Sequence, residues 1–442
     1  MTNKRYFLLA GIVAFIGLVG ISCSIYSENY PIVSPTSVPA TQPPTDIPTQ
    51  TAIPFPTFPP SPTVAPPYPT ASVVKANAVV FIEGNSLWIA NVDGSGERKL
   101  TDIENNASSN SKYLLQWSPD GKWISYISGD NLWIISPDGL VKRKVLLISK
   151  TDNKDRIWSY DWSPDSSKIA YIQTVNEKLT SWLLDLDTGN VSKLPTTPQI
   201  SLAWSPDGRY ILLNTYTSLT VFGVATGKVL KEINSMSDTQ NHCPIEHGGV
   251  TWSPNSKWFY HPMYTNGEYH MSICVSGIDG PSKRIYISSS SHLPAWDKTG
   301  NFLYFTTQDT KQRLLQYNLR TQETKTMLAL EASQSSIWSV SVSPNGHMLE
   351  MDGTIPGNQQ LFIFLNLDSL SIKKFEIPEI PYHTIFWRIT AWSADNQNLI
   401  FSSEKNNHTI FYRLDSQTGK TNAFSGEHSI EYWIASPIAT TP

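Results

Sequence analysis

One short stretch constrains this chain more than any other feature. Trp117-Ser118-Pro119-Asp120-Gly121 returns as Trp162-Ser163-Pro164-Asp165, Trp204-Ser205-Pro206-Asp207-Gly208 and Trp252-Ser253-Pro254-Asn255. Looser copies follow at Trp296-Asp297-Lys298-Thr299-Gly300, Val342-Ser343-Pro344-Asn345-Gly346 and Trp392-Ser393-Ala394-Asp395. Successive gaps are 45, 42, 48, 44, 46 and 50 residues. A period in that range means stacked or radially arranged copies of one small supersecondary unit.

The motif has a direct physical reading. Ser-Pro-Asp-Gly suits a type I turn, because Pro presets φ at the second position and Ser and Asp bond to nearby backbone. Each turn lies between apolar runs of strand length, such as Tyr113-Leu114-Leu115-Gln116 before it and Trp123-Ile124-Ser125-Tyr126-Ile127 after it. A third run, Leu132-Trp133-Ile134-Ile135, leads to a second turn at Pro137-Asp138-Gly139, and Arg143 to Leu147 supplies a fourth. Four short strands per unit is the signature of a propeller blade. The repeats resemble the TolB-type, or PD40 (WD40-like), β-propeller family over residues 75–436. Asp297-Lys298 in place of Ser-Pro, and Ala394 in place of Pro, depart from that pattern.

The ends of the array predict how it closes. Ala78 to Ile82, Leu87 to Ala90 and Arg98 to Leu100 make a unit with no motif before it, so it lacks a first strand. Ile430 to Ala435 is a lone strand whose Trp433 falls 41 residues after Trp392. The last strand is therefore expected to complete the first blade, which removes free sheet edges. The fold class is all-β, a propeller over 73–436 with eight blades, or seven if one weak repeat is an insertion, followed by a tail over 437–442.

The first 72 residues read differently. Lys4 and Arg5 precede an uncharged run of 17 residues, Tyr6 to Ser22, and then Cys23. That is a signal-peptide layout over 1–22, and Gly20-Ile21-Ser22-Cys23 resembles a bacterial lipobox, with Gly20 where leucine is usual. The resemblance implies a lipid on Cys23. The alternative is an uncleaved anchor, since the run lies at the lower limit for spanning. Either way the positive flank stays inside and the rest lies on the extracytoplasmic side of the cell membrane. Between Pro31 and Thr70, 14 of 40 residues are proline. Residues 23–72 cannot bury a core and read as an extended tether.

Composition narrows the partners. With 33 Lys and Arg against 37 Asp and Glu, the formal net charge is −4, which gives no basic stripe for nucleic acid. Cys243 and Cys274 fall in one blade of an exported domain, which permits a disulfide, against two buried thiols. Five of the nine histidines (His242, His247, His261, His270 and His292) cluster along the chain but match no metal-ligand spacing. No metal or cofactor is expected.

In propellers generally, turns between the first two strands lie on one face, while connections between blades frame the channel on the other. Asp120, Asp165 and Asp207 accordingly read as turn formers. Four residues before each motif aromatic stand Tyr113, Trp158, Ile200, Gly248, His292, Trp338 and Arg388, with Trp387 beside the last. Tyr113, Trp158, His292, Trp338, Trp387 and Arg388 are the candidate binding residues at the channel mouth, because aromatics and Arg are favoured at recognition sites. The opposing reading packs these rings between blades. No Gly-x-Ser-x-Gly elbow, sialidase-type Asp-box or paired adjacent cysteines are found, and no catalytic residue is assigned. The expectation is a non-catalytic recognition platform for an envelope protein, peptide or glycan. The alternative is an extracytoplasmic carbohydrate-active hydrolase or lyase with two carboxylates in the channel; a third reading is a spacer.

Overall fold

The computed structural model describes residues 78–435 apart from 93, 105–113, 147–155, 176–177, 195–200, 216–217, 235–249, 265–270, 281, 287–293, 309–310, 332–334, 358, 382–390, 394, 406–407 and 424–429. The expectations for the leader, Cys23 and the tether fall outside these residues. Among the described residues no helix is long and apolar enough to cross a membrane.

Every described element is a strand, and the strands form eight four-stranded antiparallel sheets. Blade 1 holds β1 (Ala78–Glu83), β2 (Ser86–Asn91), β3 (Arg98–Asp102) and, from the far end of the chain, β32 (Ile430–Ala435). Blade 2 is β4 (Gln116–Trp117), β5 (Ile124–Ser128), β6 (Asn131–Ile135) and β7 (Lys142–Leu146). Blade 3 is β8 (Arg156–Trp162), β9 (Lys168–Val175), β10 (Lys178–Asp185) and β11 (Val191–Lys193). Blade 4 is β12 (Ser201–Trp204), β13 (Tyr210–Asn214), β14 (Ser218–Gly223) and β15 (Lys228–Asn234). Blade 5 is β16 (Thr251–Trp252), β17 (Trp258–Tyr264), β18 (Met271–Gly277) and β19 (Ser282–Tyr286). Blade 6 is β20 (Ala295–Trp296), β21 (Phe302–Gln308), β22 (Lys311–Asn318) and β23 (Thr324–Glu331). Blade 7 is β24 (Ser336–Val342), β25 (Met348–Ile355), β26 (Gln359–Asn366) and β27 (Ile372–Pro381). Blade 8 is β28 (Ala391–Trp392), β29 (Asn398–Lys405), β30 (His408–Asp415) and β31 (Thr421–Ala423).

The core is a ring of eight apolar clusters, each shared by two neighbouring blades. The one that decides closure joins Val79, Phe81 and Ala90 of blade 1 to Ile400 and Phe411 of blade 8. Phe81 and Phe411 lie 5.9 Å apart across that seam. Phe362 and Phe401 (4.9 Å) and Tyr260 and Trp296 (5.7 Å) bridge other seams in the same tilted way. Phe81 pairs with Trp433, so the last strand completes the first blade. The protein is an eight-bladed β-propeller.

The motif turns explain the regularity. In blade 2 the Ser118 hydroxyl donates to Asp120 Oδ1 (2.6 Å) and accepts the Trp123 N–H (2.9 Å), while Asp120 Oδ1 accepts the Lys122 N–H (3.1 Å). The same pattern recurs around Ser163, Ser205, Ser253, Ser343 and Ser393. Blade 6 reaches it by other chemistry: Asp297 stands where Ser is expected, and its Oδ1 takes the Phe302 N–H at 2.7 Å. The departure at Asp297 thus replaces a hydroxyl acceptor by a carboxylate and keeps the turn.

Outer strands carry a different device. Leu100, Val145, Leu230 and Met327 are each skipped in the pairing of a fourth strand. Such bulges twist an exposed edge away from strand partners.

Candidate functional site

The first strand of blades 2 to 8, and β32 in blade 1, lies innermost, where neighbours such as β8 and β12 touch. Just before each motif aromatic stand Gln116, Asp161, Ala203, Thr251, Ala295, Ser341 and Ala391, all half-buried. Innermost strands have one edge without a sheet neighbour, and side chains from adjoining blades satisfy part of it. Gln116 Nε2 donates to Tyr160 O (2.9 Å), and Asp161 Oδ2 accepts the Trp204 N–H (2.8 Å). Trp252 Nε1 donates to Ala203 O (3.1 Å), and Trp392 Nε1 to Ser341 Oγ (3.0 Å).

Asp161 is the one carboxylate among those seven positions. Enclosure of its carboxyl group raises its pKa to about 7, against the lowering effect of bonds from the Trp204 and Trp162 N–H groups. Near neutrality it is therefore divided between acid and carboxylate. The turn acids behave oppositely. Partial burial pushes Asp120, Asp165 and Asp207 upward, but their combined bonds from backbone, hydroxyl and cationic groups hold them below the usual carboxylate range. These three are turn formers, as expected from the motif.

The end of the propeller opposite these turns is less regular. Inner strands β4, β16, β20 and β28 are two residues long, whereas β8 and β24 have seven and β32 has six. Each long strand holds one residue skipped in its pairing: Trp158 in β8, Trp338 in β24 and Glu431 in β32. Blades 3 and 7 face each other across a ring of eight, and blade 1 lies a quarter turn from both. Gly353 makes room for the bulge in blade 7, because a Cβ there would collide with the Ser336 carbonyl oxygen. Bulges of this kind re-aim side chains near functional openings.

Trp158 is fixed on several sides. It packs against the cluster around Ile172 and Leu202 that joins blades 3 and 4. Its Nε1–H donates to Thr174 Oγ1, and the Arg156 guanidinium carbon lies 3.8 Å from its ring centroid. The ring is thus a packed platform with a cation on it, which answers to the reading of interblade packing. Trp338 takes the matching strand position in blade 7. Tyr113, His292, Trp387 and Arg388 lie outside the described residues, as do Ile200 and Gly248.

Two further carboxylates escaped the sequence reading. Glu350 and Asp352 are buried on one face of β25, opposite Leu349 and Met351, which pack toward blade 6. Trp392 Nε1–H donates to Ser341 Oγ, whose hydroxyl donates to Glu350 Oε2 (2.7 Å); the Ser339 hydroxyl donates to Asp352. Cys274 on β18 is fully buried and disulfide-bonded, while Cys243 lies outside the described residues. His261 is buried on β17; His242, His247, His270 and His292 are not described. Among the described residues no three His, Cys, Asp or Glu side chains are grouped to hold a metal ion.

Comparison with known proteins agrees on the architecture. The model of a family described as eukaryotic translation initiation factor eIF2A matches residues 105–263, less than half of the chain. No curated protein sequence matches. Among solved structures, dihydro-heme d1 dehydrogenase NirN in complex with DHE is similar at 13% identity and TM-score 0.52, over 84% of this chain and 77% of that one. A eukaryotic initiation factor is similar at 11% identity and TM-score 0.51, over 82% and 99%. TolB from Acinetobacter baumannii is matched at 14% identity and TM-score 0.39, over 81% and 82%. For the first two structures, at such identities, the likeness shows the fold alone, which many functions share.

Proposed function

We propose that this protein is a lipid-anchored, extracytoplasmic propeller that recognises a protein or peptide of the cell envelope at the end opposite its motif turns. The observation that carries this reading is the break in repetition. Seven motif units build one end alike, while at the other end, among the described residues, the inner strands of blades 7, 1 and 3 are extended and bulged. Irregularity is expected where a partner, rather than the fold, dictates the residue. The apolar run before Cys23 and the proline-rich stretch support the anchored, outward-facing part of the proposal. No catalytic residue is assigned to the channel.

Crosslinking of the intact protein in living cells, with mass spectrometry of what is attached, tests the reading. The expected result is one recurrent envelope protein. Attachment of nothing above background, together with turnover of an envelope glycan by the purified protein, would favour the carbohydrate-active alternative.

A further inference from the structure

Arg156 begins β8 at the end opposite the motif turns and is half-buried. Burial lowers its pKa, and among the described residues no carboxylate offsets that effect. Among the described residues it has no ion-pair partner. The contrast with Arg209 is instructive: that guanidinium also lies over a ring, Tyr210 at 5.2 Å, but its Nε bonds Asp207 Oδ2 at 2.6 Å. A partly desolvated guanidinium held flat on an indole keeps its N–H edge free and has lost rotamer freedom beforehand. Such a group is suited to a carboxylate, which it grips with two parallel hydrogen bonds.

The surroundings favour a peptide as the bearer of that carboxylate. Stacking on a sugar needs an open ring face, yet Trp158 is packed against the blade 3–4 cluster and covered by Arg156. β8 is also the terminal strand of its sheet, so its inner edge offers backbone donors and acceptors of the kind an extended segment can use. We propose that Arg156, stacked on the bulged Trp158, anchors an acidic side chain or C-terminal carboxylate of an extended peptide at the mouth. This rests on the recognition reading above and names the chemistry it uses.

The test uses the full chain with 15N-labelled arginine and follows the Arg156 Nε–H resonance, assigned by its loss in R156Q. The probes are acetyl-Ala-Ala-Glu-amide and acetyl-Ala-Ala-Gln-amide, titrated at constant ionic strength. The expected result is a saturable shift with the Glu peptide only, weakened about 10- to 100-fold in R156Q when read by competition with a labelled Glu peptide. R156K should fall between, because lysine keeps the charge and loses the bidentate fork. No saturable shift, or equal shifts with both peptides, would overturn the assignment. Cellular crosslinking is read separately. A partner captured equally by wild type and R156Q would remove Arg156 and leave the recognition reading in place, whereas no captured partner would remove the reading itself.

Discussion

The two ends of this propeller are built by different rules. At the motif end, every described turn satisfies the same backbone N–H groups through Ser and Asp or Asn, and where Ser is missing Asp297 supplies the acceptor. At the opposite end the inner strands differ in length, and single residues such as Trp158 and Gly353 have no counterpart at equivalent positions in most blades. Repetition reports what the fold requires eight times over. Singular residues report what it requires once, and there the search for function belongs.

The largest effect expected from breaking this contrast lies in blade 7. Gly353→Ala should destabilise by about 3 kcal/mol or more, because the new Cβ would collide with Ser336 backbone rather than with a yielding side chain. The apparent Tm by calorimetry measures it. A fall no larger than that of an ordinary surface variant would mean that the bulge relaxes freely.

A turn variant should matter less. Ser205→Ala leaves the Tyr210 N–H without its side-chain acceptor and removes one of the donors to Asp207, which keeps those of Arg209, at a cost of about 1–3 kcal/mol. Ser118→Ala should behave alike, since the turns are copies; unequal losses would weaken the claim of equivalence.

Asp161 sharpens the contrast through pH. Its folded-state pKa of about 7 lies above the ordinary carboxylate range, so the native state holds the proton more tightly. Stability should therefore fall as pH rises from near 4 through about 7, and stay level outside that window on this account. Asp120, Asp165 and Asp207 act in the opposite sense: their depressed values add stability at neutral pH that is lost as pH falls below the ordinary range. Asp161→Asn keeps an acceptor for the Trp204 N–H and should abolish the decline toward neutrality while leaving the acid limb intact. Thermal scans across pH for both proteins decide this.

The smallest effect concerns the fourth turn position, where the backbone is left-handed in every copy. Gly121 and Gly208 have φ of 70° and 72°, and Ser166, Ser256 and Asn396 have 61°, 57° and 61°. Each non-glycine residue takes an N–H from the preceding blade: Ser166 from Asp120 (3.1 Å), Ser256 from Asp207 (3.0 Å) and Asn396 from Asn345 (2.7 Å). Ser166→Gly relieves backbone strain and removes this stitch, so the two should nearly cancel, within about 0.5 kcal/mol. A loss several times larger would show that the stitch outweighs the strain.

Much of this was legible in the sequence, for identifiable reasons. The motif spacing pointed to eight blades, with seven left open, and the lone strand at 430–435 pointed to the shared first blade. The register differs from the expectation, since Ala435 and not Trp433 takes the motif position, pairing with Val79 as Trp117 pairs with Ile124. The turn roles of Asp120, Asp165 and Asp207 followed from local chemistry alone. The bulges did not, because a skipped residue is defined by its partner strand: Trp158 is extra only relative to Gln173 and Ile172. Asp161 was also passed over, although it is the one acid among the residues preceding the motif aromatics. Its importance depends on enclosure and on the Trp204 N–H, which a one-dimensional pattern does not contain. Glu350 and Asp352 were missed for the same reason.

The most direct test of the division between the two ends is photo-crosslinking in living cells from one chosen position at a time. A photoreactive residue at Ser336, at the start of β24, samples the mouth; one at Lys122 or Arg209 samples the motif turns. The account predicts that the envelope partner is recovered from position 336 and not from 122 or 209. Recovery from the turn positions, with nothing attached at 336, would contradict it and place recognition on the repeated face.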